Sequence, residues 1–173
     1  MFLIDAWEAI RDFLELGGPI LRVIGINIFF LWVFILERLI YYRTGMIDLV
    51  NDSIDEWNSR SDKSSWNAIQ IRESLISKAK IAADKSLPMI QTLVALCPLL
   101  GLMGTVTGMI QVFEVMAMSG TSNARAMAAG VSRATIPTMA GMVGALSGVF
   151  FVTILTRASK RYSSDLEENL LRG

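Results

Sequence analysis

Residues 87–118 read LPMIQTLVALCPLLGLMGTVTGMIQVFEVMAM, and residues 126–157 read AMAAGVSRATIPTMAGMVGALSGVFFVTILTR. Each stretch exceeds the roughly 20 apolar residues that carry a helix across a bilayer. Both are also rich in hydroxyls. Thr92, Thr105, Thr107 and Gln111 lie in the first, and Ser132, Thr135, Thr138, Ser147 and Thr153 in the second. Glycines recur at helical spacing as Gly101, Gly104 and Gly108, then as Gly141, Gly144 and Gly148. Lipid offers little hydrophobic drive between helices, so small residues that let backbones approach, and hydroxyls that bond across the contact, mark helices built to face other helices.

Working outward, residues 20–42 hold another apolar run, ILRVIGINIFFLWVFIL over 20–36, then Glu37, Arg38 and the pair Tyr41–Tyr42. Trp32 and the tyrosines suit a lipid-facing helix with an interfacial belt. Arg22 is placed to snorkel, and Asn27 to make one hydrogen bond between helices. Before this span, Leu3, Trp7, Ile10 and Leu14 fall on one helical face and Asp5, Glu8, Asp12 and Glu15 on the other. Residues 1–17 therefore read as an amphipathic helix lying at the membrane interface, ended by Gly17, Gly18 and Pro19. With acidic residues near the start and no basic opening, a cleavable signal is not expected.

Residues 43–86 form a polar connector with helical segments on either side of a Ser/Asp/Lys-rich break. Residues 118–125 make a small loop, and 158–173 a charged tail. The connector carries seven Lys/Arg, the stretch from Arg157 to the end four, and the first 19 residues and the 118–125 loop one each. Basic residues collect on the cytoplasmic side, which puts the N-terminus outside and the C-terminus inside. The expectation is an all-α membrane protein: transmembrane helices 20–42, 87–117 and 126–157, long cytoplasmic helical extensions, and an outer amphipathic helix.

Composition agrees, with 53% hydrophobic and 18% charged residues in 173. There is no histidine and one cysteine, Cys97, inside an apolar span. That inventory gives no internal disulfide, no Cys/His metal site, no phosphate loop and no catalytic dyad, so neither an enzyme nor a cofactor is expected.

The charges that are missing matter most. Ion pathways through membranes usually include an ionisable residue and its partner. Spans two and three have none in their middles. Glu114 lies about 13 Å beyond Thr105 along a helix, near the outer end. Arg133 stands near the outer end of span three, to pair with Glu114 or with an acid from elsewhere. A chain of this kind that moves protons needs its titrating carboxylate from another polypeptide. Pro98 and Pro137 sit inside the spans, where each removes a backbone hydrogen bond and favours a kink. Gly101, Thr105, Gly108 and Glu114 read as one stripe, answered by Thr138, Gly141, Ala145 and Gly148.

The run Cys97-Pro98-Leu99-Leu100-Gly101-Leu102-Met103-Gly104-Thr105-Val106-Thr107-Gly108 resembles the signature of the ExbB/TolQ/MotA proton-channel family. Gly130-Val131-Ser132 through Thr138-Met139-Ala140-Gly141-Met142 resembles its third-span motif. Within the family the layout is most similar to the ExbB branch, in a short form. The resemblance implies a homo-oligomer, a pentamer, embedded in membrane lipid of the bacterial inner membrane. It would enclose the single spans of an ExbD-like partner, whose membrane aspartate carries protons past Thr105 and Thr138 and energises a TonB-like protein for outer-membrane uptake of iron carriers. TolQ-like outer-membrane maintenance and a purely structural scaffold are the alternatives; nucleic acid is not an expected partner. Two positions depart from the family pattern: Arg133, where a glutamate is frequent, and Pro137 directly before the threonine.

Overall fold

The structure is a computed structural model and describes residues 8, 11, 14, 17–60, 65–119 and 124–172, with backbone alone at 119, 124–126 and 169–172. The described chain is all helical: α1 (Gly18–Arg43), α2 (Gly45–Asn58), α3 (Trp66–Asp84), α4 (Leu87–Ser119) and α5 (Ala124–Arg172). Three stretches are long and apolar enough to cross a membrane, lying within Gly18–Asn58, Trp66–Met118 and Met127–Glu168. The amphipathic helix expected over 1–17 lies outside the described residues, apart from helical Glu8, Arg11 and Leu14 and the turn at Gly17. Most of the 118–125 loop also falls outside them.

The chain divides into two compact units, Met1–Trp32 with Thr92–Val149, and Val33–Gln91 with Phe150–Gly173. In the first, α1 enters through Gly18 at φ 67°, a left-handed conformation that only glycine adopts without strain. Its buried face is Leu21, Ile24, Asn27 and Leu31, while Ile26, Phe29 and Phe30 point outward. A water-soluble protein would not leave such a wall uncovered; in a bilayer it faces acyl chains. Asn27 is 9% exposed. Its Nδ2 donates to the Leu93 carbonyl at 3.0 Å and to Cys97 Sγ at 3.1 Å on α4.

The second unit is organised by Arg38, 2% exposed. Its guanidinium lies 4.7 Å from the ring centres of both Tyr41 and Tyr42. Its Nη2 donates to the carbonyls of Ala82 and Ala83 in the last turn of α3. Those carbonyls have no onward helical partner and sit at the negative end of the helix dipole, so a cation there is stabilised twice over. Tyr42 adds a hydrogen bond to Ala83 O at 2.8 Å, and Tyr162 of α5 donates to Tyr42 O at 3.2 Å. Ser159 donates to Asp84 at 2.6 Å. Packing of Met46, Trp57, Ala68, Leu75 and Leu166 completes this core.

Candidate functional site

The geometry of the site follows from where α4 and α5 touch. A Cβ at Gly101 would stand 3.0 Å from Thr138 Cα, and one at Gly108 2.7 Å from Ala134 Cβ; Gly104 is pressed against Pro137. From the other helix, a Cβ at Gly141 would lie 2.5 Å from the Cys97 carbonyl oxygen and 3.3 Å from Gly101 Cα. Gly144 meets Ile28 and Cys97, and Gly148 meets Val94 and Leu31. All six glycines thus sit where helices of one chain come closest. The pairs ascend on α4 as they descend on α5, so the two helices are antiparallel.

With 3.6 residues per turn, Thr105 lies about 70° around α4 from the glycine contact, and Glu114 about 110° the other way. On α5, Thr138 is about 80° from the contact and Arg133 about 60° the other way. Reversing one helix reverses its sense of rotation, so the two threonines share one side of the hairpin and the two charged residues share the opposite side. Gly101, Thr105, Gly108 and Glu114 are therefore not one stripe, because the glycines are consumed by the helix contact and divide threonine from glutamate.

Ile20, Ile28 and Leu31 of α1 pack against Gly104, Gly144 and Gly148, on the side away from the threonines. The threonine side keeps Leu102 and Met142 exposed. Among the described residues of α4 and α5 up to Val149 it carries no ionisable group.

Thr105 is half-buried and donates to its own helix at Leu102 O, 2.7 Å. Thr138, also half-buried, donates across the contact to Gly101 O at 3.1 Å. Both hydroxyl protons are engaged, which leaves the oxygens as acceptors. A protonated acid or water brought to this face finds two fixed acceptors on a surface with no competing charge.

Pro98 is exposed on α4, and Pro137 is buried against Gly104. Both lie inside their helices, so the carbonyls of Val94 and Arg133, four residues earlier, lack an intrahelical donor. Glu114 and Arg133 are exposed and form no ion pair with each other. Helix register explains this. Arg133 stands near the level of Gly108, whereas Glu114 is about 8 Å farther out. Among the described residues no group of three or more acidic, histidine or cysteine side chains could hold a metal.

Comparison with known proteins gives the family. Residues 43–168 match the MotA/TolQ/ExbB proton channel family. The chain belongs to that family. Two proteins of Synechocystis sp. (strain ATCC 27184 / PCC 6803 / Kazusa) are similar to it. ExbB-like 1 is 39% identical over 39% of this chain and 28% of its own length, and ExbB-like 3 is 31% identical over 45% and 38%. The biopolymer transport protein ExbB of Pseudomonas putida is 25% identical over 69% of this chain and 38% of its own length. The matched segments therefore span about a third of these curated relatives. With three apolar helices and this family, the chain is an all-α, multi-pass membrane protein.

Proposed function

We propose that this chain is the channel-forming subunit of a proton-driven motor in the bacterial inner membrane, with its N-terminus outside and its C-terminus in the cytoplasm. Several copies, a pentamer by family likeness, turn their threonine faces toward a common axis. There they surround the single span of an ExbD-like partner, whose aspartate takes up and releases the proton. Thr105 and Thr138 accept hydrogen bonds from that acid or from water as it passes. The work is delivered to a TonB-like protein that energises outer-membrane uptake.

The observation that carries this reading is the division of the α4–α5 hairpin. Its hydroxyl side lies opposite α1 and bears acceptors and no charge, which suits a path whose titrating group is supplied by another chain. The relatives named ExbB favour this branch over a TolQ-like role.

The test is proton flux into sealed vesicles containing this chain alone, and then with an ExbD-like single-span partner. Flux is expected only with the partner, and is expected to vanish when the partner's membrane aspartate becomes asparagine. Thr138→Val, which keeps shape and removes the hydroxyl, is expected to cut flux at least tenfold with the assembly intact; removing a hydrogen-bonding group that acts in proton transfer typically costs about 10²-fold or more. Flux from the chain alone would place a complete channel here, and unchanged flux in Thr138→Val would remove the threonines from the path.

A further inference from the structure

The other side of the hairpin holds a cleft of about 640 Å³, floored by the start of α1 and walled by the outer halves of α4 and α5. Its apolar wall includes Val112 and Met116, and its polar groups are Thr107, Gln111 and Arg133. Thr107 donates to the carbonyls of its own helix at Met103 and Gly104. Among the described residues Gln111 and Arg133 have no hydrogen-bond or ion-pair partner. A permanently charged guanidinium and a carboxamide thus face one space.

The depth of that space identifies what it meets. Ile20 begins the apolar run of α1 and packs against Gly104, opposite Pro137. Beyond that level α4 keeps Val106, Ile110 and Phe113 exposed before its first charge, Glu114, so the outer hydrocarbon boundary lies near the level of Gln111. Arg133 is about 6 Å beyond Pro137 along α5, and Gln111 about 10 Å beyond Gly104 along α4. A headgroup layer extends about 5–8 Å beyond the hydrocarbon on each side. Arg133 therefore stands just inside the boundary, about 4 Å below the level of Gln111, from where its long side chain reaches the phosphate layer with acyl-compatible wall beside it.

We propose that this cleft binds the headgroup of an anionic phospholipid in the leaflet where α1 begins, with Arg133 on the phosphodiester and Gln111 on the phosphate or glycerol oxygens. Arginine matches phosphate geometry and is more weakly hydrated than lysine, which favours a forked contact in a half-wet cleft. The site is independent of proton conduction. It needs only that α1, α4 and α5 cross a bilayer, so its failure would leave the motor reading standing.

The experiment uses the full chain in nanodiscs of equal phosphatidylglycerol and phosphatidylcholine, with retained lipids counted by native mass spectrometry. The expected enrichment of phosphatidylglycerol is about fivefold, the scale of one charge-assisted contact. Arg133→Gln should bring the ratio close to one, and Arg133→Lys should keep part of it. Ala129→Phe narrows the cleft without altering charge, and should also abolish enrichment. Arg22→Gln removes an exposed cation of α1 outside the cleft, and should leave the ratio unchanged. Helicity by circular dichroism identifies any variant that misfolds; if Arg133→Gln does, the Lys and Ala129→Phe variants decide. An unchanged ratio in the cleft variants, or an equal fall in Arg22→Gln, overturns the site. Displacement of the lipid by a soluble acidic peptide would do so too, reassigning the cleft to a protein partner.

Discussion

The two compact units are held together by opposite means. In the first, α4 and α5 meet because side chains are missing: Gly101, Gly108 and Gly141 let backbone approach backbone, and little polar bonding is needed. In the second, α1 and α3 meet through one large charged side chain, Arg38, flanked by two tyrosine rings and capping a helix end. The difference tracks the solvent. In hydrocarbon, close packing of small residues is the available attraction. Where the chain leaves the apolar run, orphan carbonyls at a helix end are better met by a donor than left buried.

The largest effect expected from testing that contrast is at Gly141. Any side chain there meets backbone, with the Cys97 carbonyl oxygen 2.5 Å from the ideal Cβ. Backbone cannot rotate away as a side-chain tip can. Gly141→Leu is expected to cost about 3 kcal/mol or more, at the upper end of overpacking penalties. Reversible unfolding in mixed micelles would read it. Gly25 is the matched control, since nothing lies within 4 Å of its Cβ position; Gly25→Leu should leave stability unchanged. Equal behaviour of the two would mean that close approach is not what holds the hairpin.

Next comes Arg38. Arg38→Leu strands the Ala82 carbonyl, leaves Ala83 O with the Tyr42 hydroxyl alone, and removes both ring contacts, an expected loss of about 2–3 kcal/mol, the usual scale for hydrogen bonds from charged groups. Arg38→Lys should recover only part, because an ammonium cannot lie flat between two rings. Thermal unfolding, or cleavage by a protease between α2 and α3, measures either. A neutral Arg38→Leu would sharpen the comparison differently. Burying a cation is costly, and an apolar replacement sometimes breaks even.

The spans, the glycine pairs and the lone aspect of Asn27 were legible in the sequence because length, composition and three-or-four spacing are local properties. The side on which each residue ends up was not. Glu114 looked continuous with Gly101 and Thr105 until the position of α5 used up the glycine face and put threonine and glutamate on opposite flanks. Arg38 was legible only as an interfacial charge beside an aromatic pair. Its acceptors are the carbonyls of two alanines, Ala82 and Ala83, and a backbone carbonyl leaves no trace in sequence. The signal that was present is the spacing of Arg38, Tyr41 and Tyr42, three and four apart, which stacks both rings on one side of the helix with the guanidinium.

The smallest expected effect separates the two modes of packing most cleanly. Asn27 of α1 reaches α4 through Leu93 O and Cys97 Sγ. If the first unit is held by close approach, this bond is secondary, and Asn27→Leu should cost about 0.6 kcal/mol, the average for hydrogen bonds between membrane helices. Leucine is similar in size and suits the neighbouring Ile24 and Leu31, both buried, so a cavity term is small. A loss above about 2 kcal/mol would exceed the largest such bond measured in membrane helices. It would mean that α1 is fastened polar-first, as α3 is by Arg38, and that glycine packing explains only the α4–α5 contact. Pairing Asn27→Leu with Cys97→Ala in a double-mutant cycle then shows how much of any loss runs through the sulfur and how much through the Leu93 carbonyl.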